Sequence, residues 1–232
     1  NILLNTATFS QITIAENTSF DESIEILDPK WNWDNPNGYS YGTAIGDVRL
    51  NSLTYIIDRG YNINGNSRGY KKFVIDTITN TYYTIRYANL DNSEMNIIQI
   101  NKNSNYNFMY LSFTTNDTIN IEPTKDKWDL LFTQYTHLYN DGTEPPAYLV
   151  TGVLTNYINN VEVAIDTNNI FSSIEYNMLM TYNFSSLQDK IGYDWKSFDL
   201  DNQIYTIDSK KNYIIKDQKG FYYKMHFIDF YN

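Results

Sequence analysis

Apolar and polar positions alternate with a period of two along most of the chain, as in Thr81-Tyr82-Tyr83-Thr84-Ile85-Arg86-Tyr87, Asn96-Ile97-Ile98-Gln99-Ile100 and Tyr106-Asn107-Phe108-Met109-Tyr110-Leu111-Ser112-Phe113. Successive side chains of a strand point to opposite faces, so this period predicts half-buried strands. Between them stand Asn35-Pro36-Asn37-Gly38, Asn62-Ile63-Asn64-Gly65-Asn66, Asn140-Asp141-Gly142 and Asp217-Gln218-Lys219-Gly220. Each supplies Gly or Asn, which accept positive φ and reverse the chain. Helical signals are short: Ser172 to Leu179, and one serine-capped turn over Ser185-Ser186-Leu187-Gln188-Asp189-Lys190. The pattern predicts an all-β fold, an antiparallel multi-strand assembly with one or two short helices.

Composition strengthens that picture. The 232 residues include 31 Asn, 22 Tyr and 12 Phe, and Tyr suits a pleated, half-buried surface while Asn suits turns. With 17 basic against 27 acidic side chains the net charge is −10, a field that repels polyanions and argues against a nucleic-acid partner. Cysteine is absent, which excludes disulfides, thiolate catalysis and thiolate metal sites. No apolar run is long enough to span a membrane as a helix. The start Asn1-Ile2-Leu3-Leu4-Asn5 is neither a signal peptide nor an initiator Met, so the expectation is a mature or excised fragment.

Asn101-Lys102-Asn103-Ser104-Asn105 is the natural internal boundary. It is short and holds no Pro-rich or Gly/Ser spacer, and connectors of that kind join neighbouring strands. Residues 1–232 are therefore expected to form one β assembly. An echo links its halves. Tyr55-Ile56-Ile57-Asp58 precedes Gly69-Tyr70-Lys71-Lys72-Phe73-Val74-Ile75-Asp76, as Tyr213-Ile214-Ile215-Lys216 precedes Gly220-Phe221-Tyr222-Tyr223-Lys224-Met225-His226-Phe227-Ile228-Asp229. Each reads as a hairpin of an apolar strand with an aromatic-lysine strand; duplication and convergence on hairpin composition both account for it.

Few residues carry chemistry. Asp199 and Asp201 are spaced as a carboxylate pair, although Asp201-Asn202 also reads as a hairpin tip. Asp166-Thr167-Asn168-Asn169 lacks the Gly and the distant Glu of a calcium loop. Two histidines are present, His137 toward the end of a strong strand and His226 on one face with Lys224 and Ile228, opposite Met225 and Phe227. Met178 and Met180 are spaced for a strand face or a tight turn, and methionine serves both as core filler and as a soft metal donor. Trp31-Asn32-Trp33 and Tyr39-Ser40-Tyr41 form an aromatic cluster suited to stacking on a flat ligand or to core packing.

Lys127-Trp128-Asp129-Leu130-Leu131-Phe132-Thr133-Gln134-Tyr135, after Tyr106 to Phe113, resembles the signature of the HmuY family of haem-binding proteins. Tyr148 to Asn156, Ile191-Gly192-Tyr193-Asp194-Trp195-Lys196-Ser197-Phe198-Asp199 and Tyr213 to Asn232 resemble its remaining strands in order. The likeness covers about residues 101–232 as a family core, with residues 1–100 as an N-terminal β extension. It implies an all-β protein without catalytic activity that binds haem and delivers it to a TonB-dependent outer-membrane receptor. It also implies a Gram-negative surface lipoprotein or a secreted protein.

The best-known members of that family ligate haem through two histidines, one in the loop before a Trp-x-x-Phe strand and one shortly after its Phe. Here the matched second position falls near Leu200 and the first within about residues 168–183, which hold Met178 and Met180 but no His. The ligand candidates that the resemblance implies are thus Met178, Met180 and His137, with tyrosinate from Tyr205 also open. Lys196, Lys210 or Lys211 are the candidates for the propionates. The alternative is an adhesion or assembly module of the same fold that binds protein or glycan without haem, with Trp31, Trp33, Tyr39 and Tyr41 as its exposed patch.

Overall fold

Five strands form the first sheet: β1 (Gln11–Ile14), β2 (Tyr55–Asp58), β3 (Tyr70–Ile78), β4 (Tyr82–Ala88) and β5 (Asn96–Asn101), in that spatial order and antiparallel throughout. This is a computed structural model that describes residues 1–38, 42–49, 53–139, 142 and 146–230. The remaining strands are β6 (Tyr110–Ser112), β7 (Asp117–Ile119), β8 (Leu130–Leu138), β9 (Ala147–Thr155), β10 (Glu162–Asp166), β11 (Lys196–Asp199), β12 (Ile204–Ile207), β13 (Asn212–Lys216) and β14 (Tyr222–Met225). They form a three-stranded sheet in the order β10-β13-β14 and the pairs β6-β7, β8-β9 and β11-β12.

The chain divides into two compact units, Asn1–Lys125 with Gln134–Leu149, and Asp126–Thr133 with Val150–Asn232. In the first, the period-two pattern sends Tyr55, Ile57, Phe73, Ile85, Tyr87 and Ile100 into one core with Leu4 and Ile12. Tyr55 stacks on Phe73, its partner in register, with centroids 5.2 Å apart. The opposite face of the sheet buries Phe20, Val74 and Ala88. Two lysines are buried here, one per face. Lys71 donates to Asn89 Oδ1 at 2.5 Å and Glu94 Oε2 at 2.8 Å, and Lys72 to the Glu22 carbonyl at 2.6 Å and to Asn92 Oδ1. Those partners offset the desolvation that an unpaired ammonium would suffer.

The second unit packs Val153, Val161, Val163, Ile191, Trp195, Tyr213 and Ile215. Trp195 stacks on Phe227 at 3.7 Å and donates its Nε1–H to the Gly192 carbonyl at 3.1 Å. Met225 and Phe227 face this core as their alternation requires, while His226 points the other way and stacks on Phe171 at 4.2 Å.

The all-β expectation holds, and the predicted strands near 82–87 and 96–100 appear as β4 and β5. Tyr106 to Phe113 is a correction. The strand there is only Tyr110–Ser112, because the Phe108 N–H is taken by the Glu122 carboxylate at 2.9 Å and leaves the ladder. Ser172 to Leu179 is another: it forms two 3-10 turns, Phe171–Ser173 and Tyr176–Thr181, interrupted by extended Ile174 and Glu175. The serine turn forms as a single turn, with the Ser185 hydroxyl accepting from the Leu187 N–H at 3.2 Å.

Candidate functional site

Met178 and Met180 sit in the second unit on the 3-10 turn Tyr176–Thr181, within the connection from β10 to the isolated bridge of Val163 with Ser185. The connection is built from its ends. At its start, the buried Asp166 accepts from the N–H groups of Asn168 at 2.8 Å and Asn169 at 3.0 Å and from Asn169 Nδ2 at 2.8 Å. At its end, the Tyr182 hydroxyl donates to the same carboxylate at 2.6 Å. Burial raises the Asp166 pKa, but the hydrogen bonds from Tyr182 and Asn169 and from the two backbone N–H groups outweigh it, so the carboxyl lies below its usual range. Burial, together with the bond to that charge, pushes the Tyr182 phenol up to about 12.

Within this loop Ile174 joins Ala164 and Ile214 in a small core, against which Leu179, Tyr182 and Phe184 pack. With Leu179 turned inward, its neighbours are carried outward, and Met180 is 95% exposed. Met178 is half-buried, and its Sδ accepts the Glu175 N–H at 3.4 Å. Tyr176, also exposed, meets the edge of Tyr222 at 6.3 Å, and Phe184 meets Tyr222 at 5.6 Å. Phe221 and Tyr223 are also exposed, but alternation along β14 turns them to the other face of the sheet.

His137 lies elsewhere. It is half-buried on β8 in the part assigned to the first unit, with its ring edge-on to Tyr139 at 5.1 Å. Of the cationic candidates, Lys196 is engaged by aromatic rings, 4.2 Å from Trp195 and 4.6 Å from Phe230, and donates to the Thr151 carbonyl; burial lowers its pKa. Lys211 pairs with Asp194 at 2.7 Å. Tyr205 packs against Phe198 and Phe230, each at 4.8 Å, and Leu200 stands exposed at the β11–β12 turn. Asp199 accepts from the N–H groups of Asp201 and Asn202 and from Asn202 Nδ2, so its carboxylate shapes the hairpin tip.

Trp31 stacks on Tyr70 at 6.1 Å and Trp33 lies against Phe9 at 6.2 Å, while Tyr39 and Tyr41 fall outside the described residues. Among the described residues no three or more His, Cys, Asp or Glu side chains group to hold a metal ion. No helix among them is long and apolar enough to cross a membrane. Sequence reasoning missed Asp166 as the hub of the methionine loop; its signal was the Asp-x-Asn-Asn run, whose amides cap the carboxylate.

These features define an all-β protein with an exposed thioether on a 3-10 turn whose Tyr176 meets Tyr222. A family model described as HmuY protein matches residues 104–232. The chain belongs to the HmuY family, which is associated with haem binding. No curated protein and no solved structure matches the chain.

The turn Tyr176–Thr181 carries two thioethers, which are soft donors, together with the exposed ring of Tyr176. A 3-10 turn advances about 120° and about 2 Å per residue, so Met178 and Met180 cannot reach opposite faces of one plate. Met180 is the one whose sulfur is free to reach outward.

Proposed function

We propose that this protein binds haem without catalysing a reaction, as a surface lipoprotein or secreted protein of a Gram-negative bacterium that passes haem to a TonB-dependent outer-membrane receptor. Family membership over residues 104–232 carries this reading. The exposed Met180, on the same 3-10 turn as Tyr176, supports that turn as the place where the plate docks. Met180 serves as donor, Met178 as its alternate, and His137 as a separate candidate in the other unit. The haem iron would accept the thioether; the chain supplies a preset turn that carries the donor and the exposed ring of Tyr176. A thioether favours the ferrous ion over the ferric one.

Titration of the purified protein with ferric and with ferrous haem should give a shifted Soret band, stronger in the ferrous state. Met180→Ala should remove most of the shift and His137→Ala should leave it. A featureless titration in both redox states would overturn the proposal, and loss of the band in His137→Ala alone would move the site to β8.

A second reading is an adhesion or assembly module for protein or glycan. It is favoured by the stacked pair of Trp31 with the partly exposed Tyr70, a platform of the kind on which sugar rings stack. Quenching of tryptophan fluorescence by glycans, abolished in Trp31→Ala, is the result it requires.

A further inference from the structure

The two units repeat one order of elements. In the first, the 3-10 turn Thr6–Thr8 ends on Phe9 in the left-handed region (φ 62°, ψ 35°) and enters β1; in the second, Tyr157–Asn159 ends on Asn160 (φ 63°, ψ 30°) and enters β10. Strand registers agree. Ile12 faces Ile57 and Ile14 faces Tyr55, as Val163 faces Ile215 and Ile165 faces Tyr213. The third strands continue the match: Phe73 and Lys72 face Tyr55 and Ile56, as Met225 and Lys224 face Tyr213 and Ile214. An isolated bridge then joins the same first-strand position to a returning loop, Ile12 to Asn32 and Val163 to Ser185. Asn5 to Phe20 and Asn156 to Phe171 run in step without a gap, with Asn5/Asn156, Ile14/Ile165, Asn17/Asn168 and Phe20/Phe171 identical.

The contacts on the connection recur as well. Lys72 Nζ lies 5.2 Å from the Phe20 ring and donates to the Glu22 carbonyl at 2.6 Å. Lys224 Nζ lies 4.8 Å from the Phe171 ring and donates to the carbonyls of Phe171 at 2.9 Å and Ile174 at 3.0 Å. Hairpin composition explains two similar hairpins. It does not explain a shared left-handed cap, a shared bridge, and a lysine set on the same phenylalanine.

We infer that the chain holds two copies of one three-stranded module, and that the third-strand lysine of each clamps the connection that follows its first strand. The first copy is followed by β4 and β5, which extend its sheet. One consequence rests on the proposed haem function. The connection of the second copy carries Met178 and Met180, whereas Ala15 to Trp31 in the first has no Met, His or Tyr and holds the carboxylates Glu16, Asp21, Glu22, Glu25 and Asp28. The duplicated chain therefore takes one haem, on the second copy, with Lys224 as a positioning residue.

Hydrogen–deuterium exchange of the full chain tests the clamp with no ligand present. Lys224→Met should speed exchange roughly tenfold at the Ile174 and Met178 amides, which donate to Phe171 and Glu175, and leave the Glu22 and Ile24 amides unchanged. Lys72→Met should do the converse, and Lys72→Gln, which keeps a donor, serves where the buried Met variant unfolds. Lys224→Arg should restore protection. Faster exchange spread equally over both connections, or protection by one lysine alone, would overturn the shared module. Haem titration should show one equivalent per chain and a roughly tenfold weaker site in Lys224→Met; two equivalents would overturn the single-site consequence. If no haem binds in either redox state, the functional proposal fails while the exchange result still decides the clamp.

Discussion

At Gly60 the backbone has φ +66°, and a Cβ would stand 1.7 Å from the Thr8 carbonyl oxygen, which accepts the Tyr61 N–H at 2.8 Å. Gly65 has a similar φ of +75° in open space. Gly60→Ala should therefore cost about 3 kcal/mol or more, strain plus overpacking, against about 1 kcal/mol for Gly65→Ala, as read from urea midpoints. Asp166 gives a second test at this scale. Its folded pKa lies below its unfolded value of about 4, so its contribution is complete above that pH and is lost as pH falls through the folded value. Asp166→Asn should cost about 1–3 kcal/mol at pH 7 and flatten the decline of stability below pH 4, measured by denaturation across pH. The neighbouring turn at residues 62–66 was visible in the sequence as an Asn-Gly run. What made Gly60 and Asp166 indispensable was not, since Thr8 and Tyr182 reach them from distant stretches of chain.

At the scale of elements, alternation located β4 and β5, because a half-buried strand writes its two faces directly into the sequence, while β2–β3 and β13–β14 were read as hairpins of an apolar strand with an aromatic-lysine strand. Alternation failed between Tyr106 and Tyr110, where a carboxylate from Glu122 competes for the backbone. It was also silent on the methionine loop. Short 3-10 turns have no periodicity to read, and what holds this one is Ile174 and Leu179 packing on Ala164 and Ile214. The stack of Phe227 on Trp195 joins the segment after β14 to the core of the second unit. Phe227→Ala should destabilise by about 3 kcal/mol and redshift the tryptophan emission, monitored together through chemical unfolding.

For the molecule as a whole, β8 and β9 each contribute residues to both compact units, so the units share strands as well as a chain. We expect one cooperative transition for residues 1–232. A fragment of residues 105–232 keeps Gln134–Leu149 but lacks the rest of the unit to which that stretch belongs. It should melt well below the intact chain or aggregate through unpaired strand edges. Equal melting temperatures would show that the second unit folds alone.

The sequence by itself determined the all-β class, the strands with clean alternation, the turns, the exclusion of thiol chemistry and the resemblance to the HmuY family, since each of these depends on local pattern or on residue type. It left duplication and convergence on hairpin composition both open for the two hairpins. Only the tertiary structure supplied the contacts that favour a repeated module, because Lys72 over Phe20 and Lys224 over Phe171 join residues about fifty positions apart. The same holds for the methionines. Whether Met180 faces water or the core depends on which side of its turn Leu179 occupies, and that is settled by packing against β10 and β13.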